Sequence, residues 1–182
     1  MSLASQTADR PRMPFGLRLA LTLVAMAALI VIAMGGVWDV VGRRAAAASL
    51  HAPDLSLLAG LSPAIKIHLA TALLALALGA VLMVVRKGRT FHRTAGWVWV
   101  SLVATTAGST LFITTLNHGA WSLLHLLTAW TLIVLPLAVS WARRHEVARH
   151  RRTMMGLFYG GFAINLAIAF IPGRTLWNVF LG

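Results

Sequence analysis

Polar and apolar positions along this chain alternate on the scale of whole segments, not single residues. Apolar runs of about 20 residues, the length that crosses a bilayer as a helix, are separated by short polar junctions. They fall at 17–41, 63–85, 91–115, 121–142 and 153–171. Such runs are too long for strands and carry no broad polar face. The expected fold class is therefore an all-α integral membrane protein with five transmembrane helices. Residues 1–16 read as a polar tail and 173–182 as a short tail after Pro172-Gly173. Residues 42–62 mix Pro and Gly with apolar side chains, as a loop with a surface-lying helix would. A cleaved signal peptide is the rival reading of the first run, because AAAAS follows Arg43-Arg44. That run is long for a signal segment and its basic pair lies on the far side, so a retained helix is expected.

The pattern is used twice. From His68 the chain reads HLATALLALALGAVLMVVRK and reaches His92-Arg93; from His125 it reads HLLTAWTLIVLPLAVSWARR and reaches His150-Arg151. The histidines are 24 residues apart in the first copy and 25 in the second, and a threonine (Thr71, Thr128) follows each opening histidine by three. Gly79 and Pro136 also match, each eleven residues after its histidine. The repeat predicts two related helical hairpins forming a four-helix bundle over 63–172, with the first helix added outside it. Tryptophans 38, 97, 99, 121, 141 and 177 fall at the edges of the runs as an aromatic belt would, and only Trp130 sits well inside one.

Charge then fixes an orientation. The net charge is +12, which in a soluble chain would suggest nucleic acid. Here Arg10, Arg12, Arg18 and the residues of 86–93 and 143–152 place twelve basic residues on one side, against four (Arg43, Arg44, Lys66, Arg174) on the other. That is the positive-inside distribution, and it excludes nucleic acid as the reason for the charge. It puts the N-terminus in the cytoplasm, the C-terminus outside, and anionic lipid headgroups against the basic face. The chain has no cysteine, so thiolate clusters and covalent haem attachment are excluded.

The candidate chemistry is histidine. His68 and His125 lie at least a turn inside the outer boundary, where a titratable ring must find a partner. A single such ring is most simply a bond to a neighbouring helix carbonyl; two at matched repeat positions point to a site. His92 and His150 start the third and fifth helices at the basic edge, and only their repeat pairing lifts them above ordinary edge residues. A four-helix bundle can hold two haems in line, with His68 and His125 ligating the outer iron and His92 and His150 the inner one. Arg93, Arg151 and Arg152 would neutralise the inner propionates and Lys66 the outer ones. Small residues near the ligands (Ala72, Ala75, Ala129) would leave room for a porphyrin, or would serve helix packing. His51, His118 and His145 sit in junctions and read as solvated, Asp54 with His51 as a surface loop pair, and Glu146 as an offset to nearby charge. Catalytic carboxylate pairs, nucleophile triads, phosphate loops and zinc-spaced clusters are absent from the sequence.

At HLATA, GRTFHRTAGW, HLLTAW, HRRTMM and the closing IPGR, the chain resembles the bacterial membrane-protein family catalogued as domain of unknown function 2306. The likeness covers about residues 63–174 and implies a multi-pass protein of the bacterial inner membrane, with no activity attached. The arrangement of histidines by helix is also similar to the cytochrome b561 superfamily. That resemblance implies two non-covalent b haems, ligated from the second and fourth and from the third and fifth helices, and electron transfer from a quinol or small reductant. His92 and His150 sit shallower than that superfamily's buried ligands. The alternative expectation is a non-enzymatic small subunit or assembly factor of a larger membrane complex, without haem.

Overall fold

The computed structural model describes residues 38–113 and 124–182, together with Pro14, Leu17, Ala20, Leu21, Val24 and Ala28. The expectations for His118, Trp121 and most of the first span lie outside the described residues. The chain divides into two units, 1–38 and 39–182. In the first, Leu17, Ala20, Leu21, Val24 and Ala28 are helical. Helix α1 (Trp38–Ala46) begins at the last residue of the first unit, and the second carries the rest of it with α2 (Ser56–Ala59), α3 (Pro63–Val84), α4 (Thr90–Thr110) and α5 (Leu124–Arg143). It continues with α6 (Val147–Met155), a π-helical segment (Gly156–Phe162), α7 (Ala163–Ala169) and α8 (Thr175–Phe180). No strand occurs among the described residues.

Helix α3 starts where sequence chemistry requires. Ser62 accepts the Ile65 amide at 3.4 Å, and Pro63 occupies the first turn, where its missing N–H costs nothing. The helix is apolar all round, as is most of α5, and both are long and apolar enough to cross a membrane. Only 11% and 22% of their most apolar windows are buried inside the protein, so neither behaves as the core helix of a soluble domain. Leu74 and Ile133 project outward, as side chains facing lipid do.

Helix α4 packs between α3 and α5. Its buried positions Ala95, Trp99, Val103 and Ala107 repeat every four residues, and the first three share a core cluster with Ala75 and Leu82 of α3 and Leu157 and Phe158 of the π segment. The closest approach is at Gly79, where a Cβ would meet the Phe158 ring and lie 2.7 Å from Trp99 Nε1. That absence of a side chain lets the Trp99 indole donate to the Ala75 carbonyl at 2.9 Å. Trp99, expected in the aromatic belt, is instead only 4% exposed.

The basic turns close on left-handed residues. Gly88 has φ +80 in the first. In the second, His145 takes φ +59, with its amide bonded to the Ala142 carbonyl and the Glu146 amide to that of Trp141. Those two bonds form a Schellman ending with histidine where glycine is usual. Helix α6 then begins at Val147, not at Thr153 as the hydropathy predicts, because hydropathy misses a turn of arginines although arginine is a good helix former.

At the opposite end, 173–182 is not a free tail. The amides of Ser49, His51 and Asp54 donate to the carbonyls of Leu181, Phe180 and Val179, and Val179 is buried. The turn into α8 passes through Gly173 at φ +93, beside the Arg44 guanidinium. Gly173→Ala is expected to cost about 1–2 kcal/mol, mainly from the left-handed backbone. A thermal unfolding midpoint equal to that of the unaltered protein would show that this turn carries no strain.

Candidate functional site

A polar layer lies at the end of the bundle away from the arginines. His68, in the second turn of α3, points its Nδ1 at the Thr106 carbonyl of α4 (3.0 Å) and at Ser109 Oγ (3.2 Å). A carbonyl only accepts, so Nδ1 carries the proton and the neutral ring keeps its lone pair on Nε2. Thr106 also donates to Thr71 at 2.8 Å, and Thr71 donates to the Ile67 carbonyl. One turn further, Thr110 pairs with Thr128 of α5 at 2.6 Å. The two threonines matched by the repeat therefore bond successive hydroxyls on one face of α4. His125, one turn before Thr128, is 8% exposed, and Thr128 is 6% exposed. His68 bonds Ser109, and His125 lies one turn from the Thr128 that meets Thr110, so both histidines stand near the same end of the hydroxyl face of α4.

The Thr106, Ser109, Thr110 face was not singled out from the sequence. Its signal was present as three hydroxyls at i, i+3 and i+4 in an apolar helix. Each hydroxyl also has a carbonyl of its own helix within 2.8 Å, which offsets the cost of placing it among apolar groups.

The second layer lies at the basic end. His150, in the first turn of α6, donates Nδ1–H to the Ala138 carbonyl of α5 at 2.9 Å. His92 lies on the inward side of α4, three residues before Ala95. Its Nδ1 is buried with no hydrogen-bond partner, and the fields of His150 and Lys87 reach it. Arg151 and Arg152 follow His150 and are exposed. Arg93, with Thr90, Thr94 and Trp97, lines an outward groove on α4, on the face away from Ala95 and Trp99.

The small residues divide. Ala75 is 0% exposed and its carbonyl holds Trp99, so it serves packing; Ala129 is exposed and Ala72 half-buried. Gly96, one turn after His92, is half-buried, and an added Cβ would meet nothing within 4 Å; the same holds at Gly160 and Gly161. Room one turn from His92 is thus offered by Gly96. Among the described residues no three His, Asp or Glu side chains cluster to hold a metal ion. A bis-imidazole iron needs only two, and the buried bare Nδ1 of His92 with space at Gly96 fits such a group.

The remaining candidates have structural partners. His51, expected to be solvated, places Nδ1 2.8 Å from the Ala52 carbonyl and Nε2 3.0 Å from that of Gly182. Bonds from the Ser56 hydroxyl and amide hold the Asp54 carboxyl below its ordinary pKa. Lys66 donates to the Ala59 carbonyl at 2.7 Å, and Glu146 pairs with Arg149 at 2.6 Å.

A family model described as "Predicted membrane protein (DUF2306)" matches residues 65–177. The chain belongs to the DUF2306 family. Neither the curated proteins nor the solved structures compared give a match. The matched part of this DUF2306 protein holds all four paired histidines, both threonine contacts and the π segment. With two helices able to cross a bilayer, it is an all-helical membrane protein in a lipid environment.

Proposed function

We propose that this DUF2306 protein is a di-haem b-type membrane cytochrome that passes electrons across the bilayer, from a quinol or small reductant to an acceptor. The observation that carries the reading is that His68 and His150 each donate Nδ1–H to a backbone carbonyl of a neighbouring helix. That is how a protein fixes a ligating imidazole, orienting the ring and leaving Nε2 basic. His68 with His125, and His92 with His150, would hold the two irons, which supply one-electron redox chemistry when bound. The threonine pairs set the spacing of α3, α4 and α5 around the first layer. Arg151 and Arg152 offset negative charge beside the second. From His92 to Thr106 is about 20 Å of helix, so both layers fit within a hydrocarbon core of about 30 Å. The reading includes five spans, the basic end and N-terminus on the cytoplasmic side of a bacterial inner membrane, and similarity to the cytochrome b561 arrangement.

Protein purified from cells supplied with haem is expected to show bis-histidine b-type absorbance, with about two haems per chain. A colourless product sinks the proposal. A second reading is favoured by the same bonds: a Thr106 carbonyl already engaged by His68 is also what a purely structural interhelical contact needs. It describes a small non-enzymatic subunit or assembly factor, and predicts co-purification with a larger membrane complex and no haem.

A further inference from the structure

The outward groove at the basic end is independent of the histidines. Thr90, Arg93, Thr94 and Trp97 lie at i, i+3, i+4 and i+7 on α4, and so share one face. They line an open groove of about 240 Å³. From the neighbouring helix, the last residue of α5 reaches the same indole: the Arg143 guanidinium carbon sits 5.5 Å from the Trp97 ring centroid. Two guanidinium groups on different helices therefore border one half-exposed indole. Glu146, the only glutamate, is held by Arg149. Leu137, Ile133, Trp130 and Leu126 form an exposed apolar stripe elsewhere on α5, about 120° round the helix from Arg143. A phosphate group complements the two guanidinium groups, and acyl chains attached to it would enter the apolar layer that such exposed side chains face.

We propose that this groove is a specific binding site for an acidic glycerophospholipid. The phosphate lies between Arg93 and Arg143 over Trp97, and the chains run from there into the hydrocarbon layer. Arg93 then serves a lipid phosphate and not a propionate inside the bundle. Guanidinium groups suit the role because they form paired, charge-assisted bonds to phosphate oxygens and stack on an aromatic face. Being at the membrane edge, the groove meets the headgroup layer, where an indole is at home.

The test is native mass spectrometry of the full-length protein, extracted in mild detergent and exchanged with phosphatidylglycerol or phosphatidylcholine. The expected result is one retained phosphatidylglycerol and no comparable phosphatidylcholine. Retention should fall by roughly tenfold in the Arg93→Gln, Arg143→Gln double variant, as charge-assisted contacts are lost. Arg86→Gln with Arg89→Gln removes equal charge from the same end outside the groove, and is expected to leave retention unchanged. Inorganic phosphate in millimolar excess should not displace the lipid; displacement would identify a free-phosphate site and overturn the assignment to lipid. Equal loss in both double variants would show diffuse charge attraction and overturn it too. Should the groove variant fold poorly by circular dichroism, brominated phosphatidylglycerol can be added to folded Trp97→Phe and to the unaltered protein. Quenching that does not diminish without Trp97 overturns the site. No readout involves haem, so the outcome is independent of the cytochrome reading.

Discussion

If the di-haem proposal holds, the His125→Ala protein is expected to retain about one haem per chain against two in the unaltered protein, because an axial ligand lost in an apolar layer has no ready replacement. His125 is 8% exposed and lies in the layer where Ser109 and Thr128 are also buried. Packing keeps bulk water from it. His150 is half-exposed, with the exposed Arg151 and Arg152 beside it. His150→Ala is accordingly expected to keep a weakened inner site with a shifted potential. A haem count and a redox titration on both variants distinguish the cases. Full occupancy of both sites in His125→Ala would exclude this residue as a ligand, and the pairing by repeat would fail with it.

Gly79→Val is expected to be the most damaging single change to the bundle, at roughly 2–4 kcal/mol, from overpacking and from loss of a buried hydrogen bond. Its side chain would run into Phe158 and Trp99, both buried, and push α3 away from the π segment and α4. Trp99 would then lose its 2.9 Å bond to the Ala75 carbonyl. Reversible unfolding in mixed micelles measures the loss. Because the nearest obstruction is the Phe158 ring, Phe158→Ala placed in the Gly79→Val background should recover part of it. No destabilisation in the single variant, or no recovery in the pair, would mean the helices have room that the close approach denies.

How much of the fold is legible in the sequence depends on what each residue contributes to hydropathy. Helix α3 is legible nearly to the residue, because Ser62-Pro63 marks a start and a run of Leu, Ala and Val leaves no alternative, and α5 ends at Arg143, within a residue of the expected 142. The start of α6 is not, since Arg149, Arg151 and Arg152 read as a junction while forming good helix. The fifth span is expected as one helix, whereas GLFYGGF runs as a π segment, and nothing in its composition separates the two. The helix of 175–180 is hidden behind Pro172-Gly173, a pair that ends one helix without signalling that another begins. The matched histidines are visible as a repeat; their carbonyl partners, Thr106 and Ala138, belong to other helices and are fixed only by packing. Adjacency in sequence does not put Arg93 and His92 on one face, since neighbours on a helix diverge by about 100°.

The π segment alters the meaning of the duplication. A π turn holds one residue more than an α turn and so rotates everything after it relative to everything before. The second hairpin contains such a swivel, while its counterpart α4 in the first runs unbroken from Thr90 to Thr110. The two copies are therefore related by ancestry of pattern without being interchangeable walls. One is a straight post bearing the hydroxyl face, the other a jointed one with glycines at its joint. A molecule seated on the pseudosymmetry axis between them would meet two different surfaces, and could be held in one orientation only.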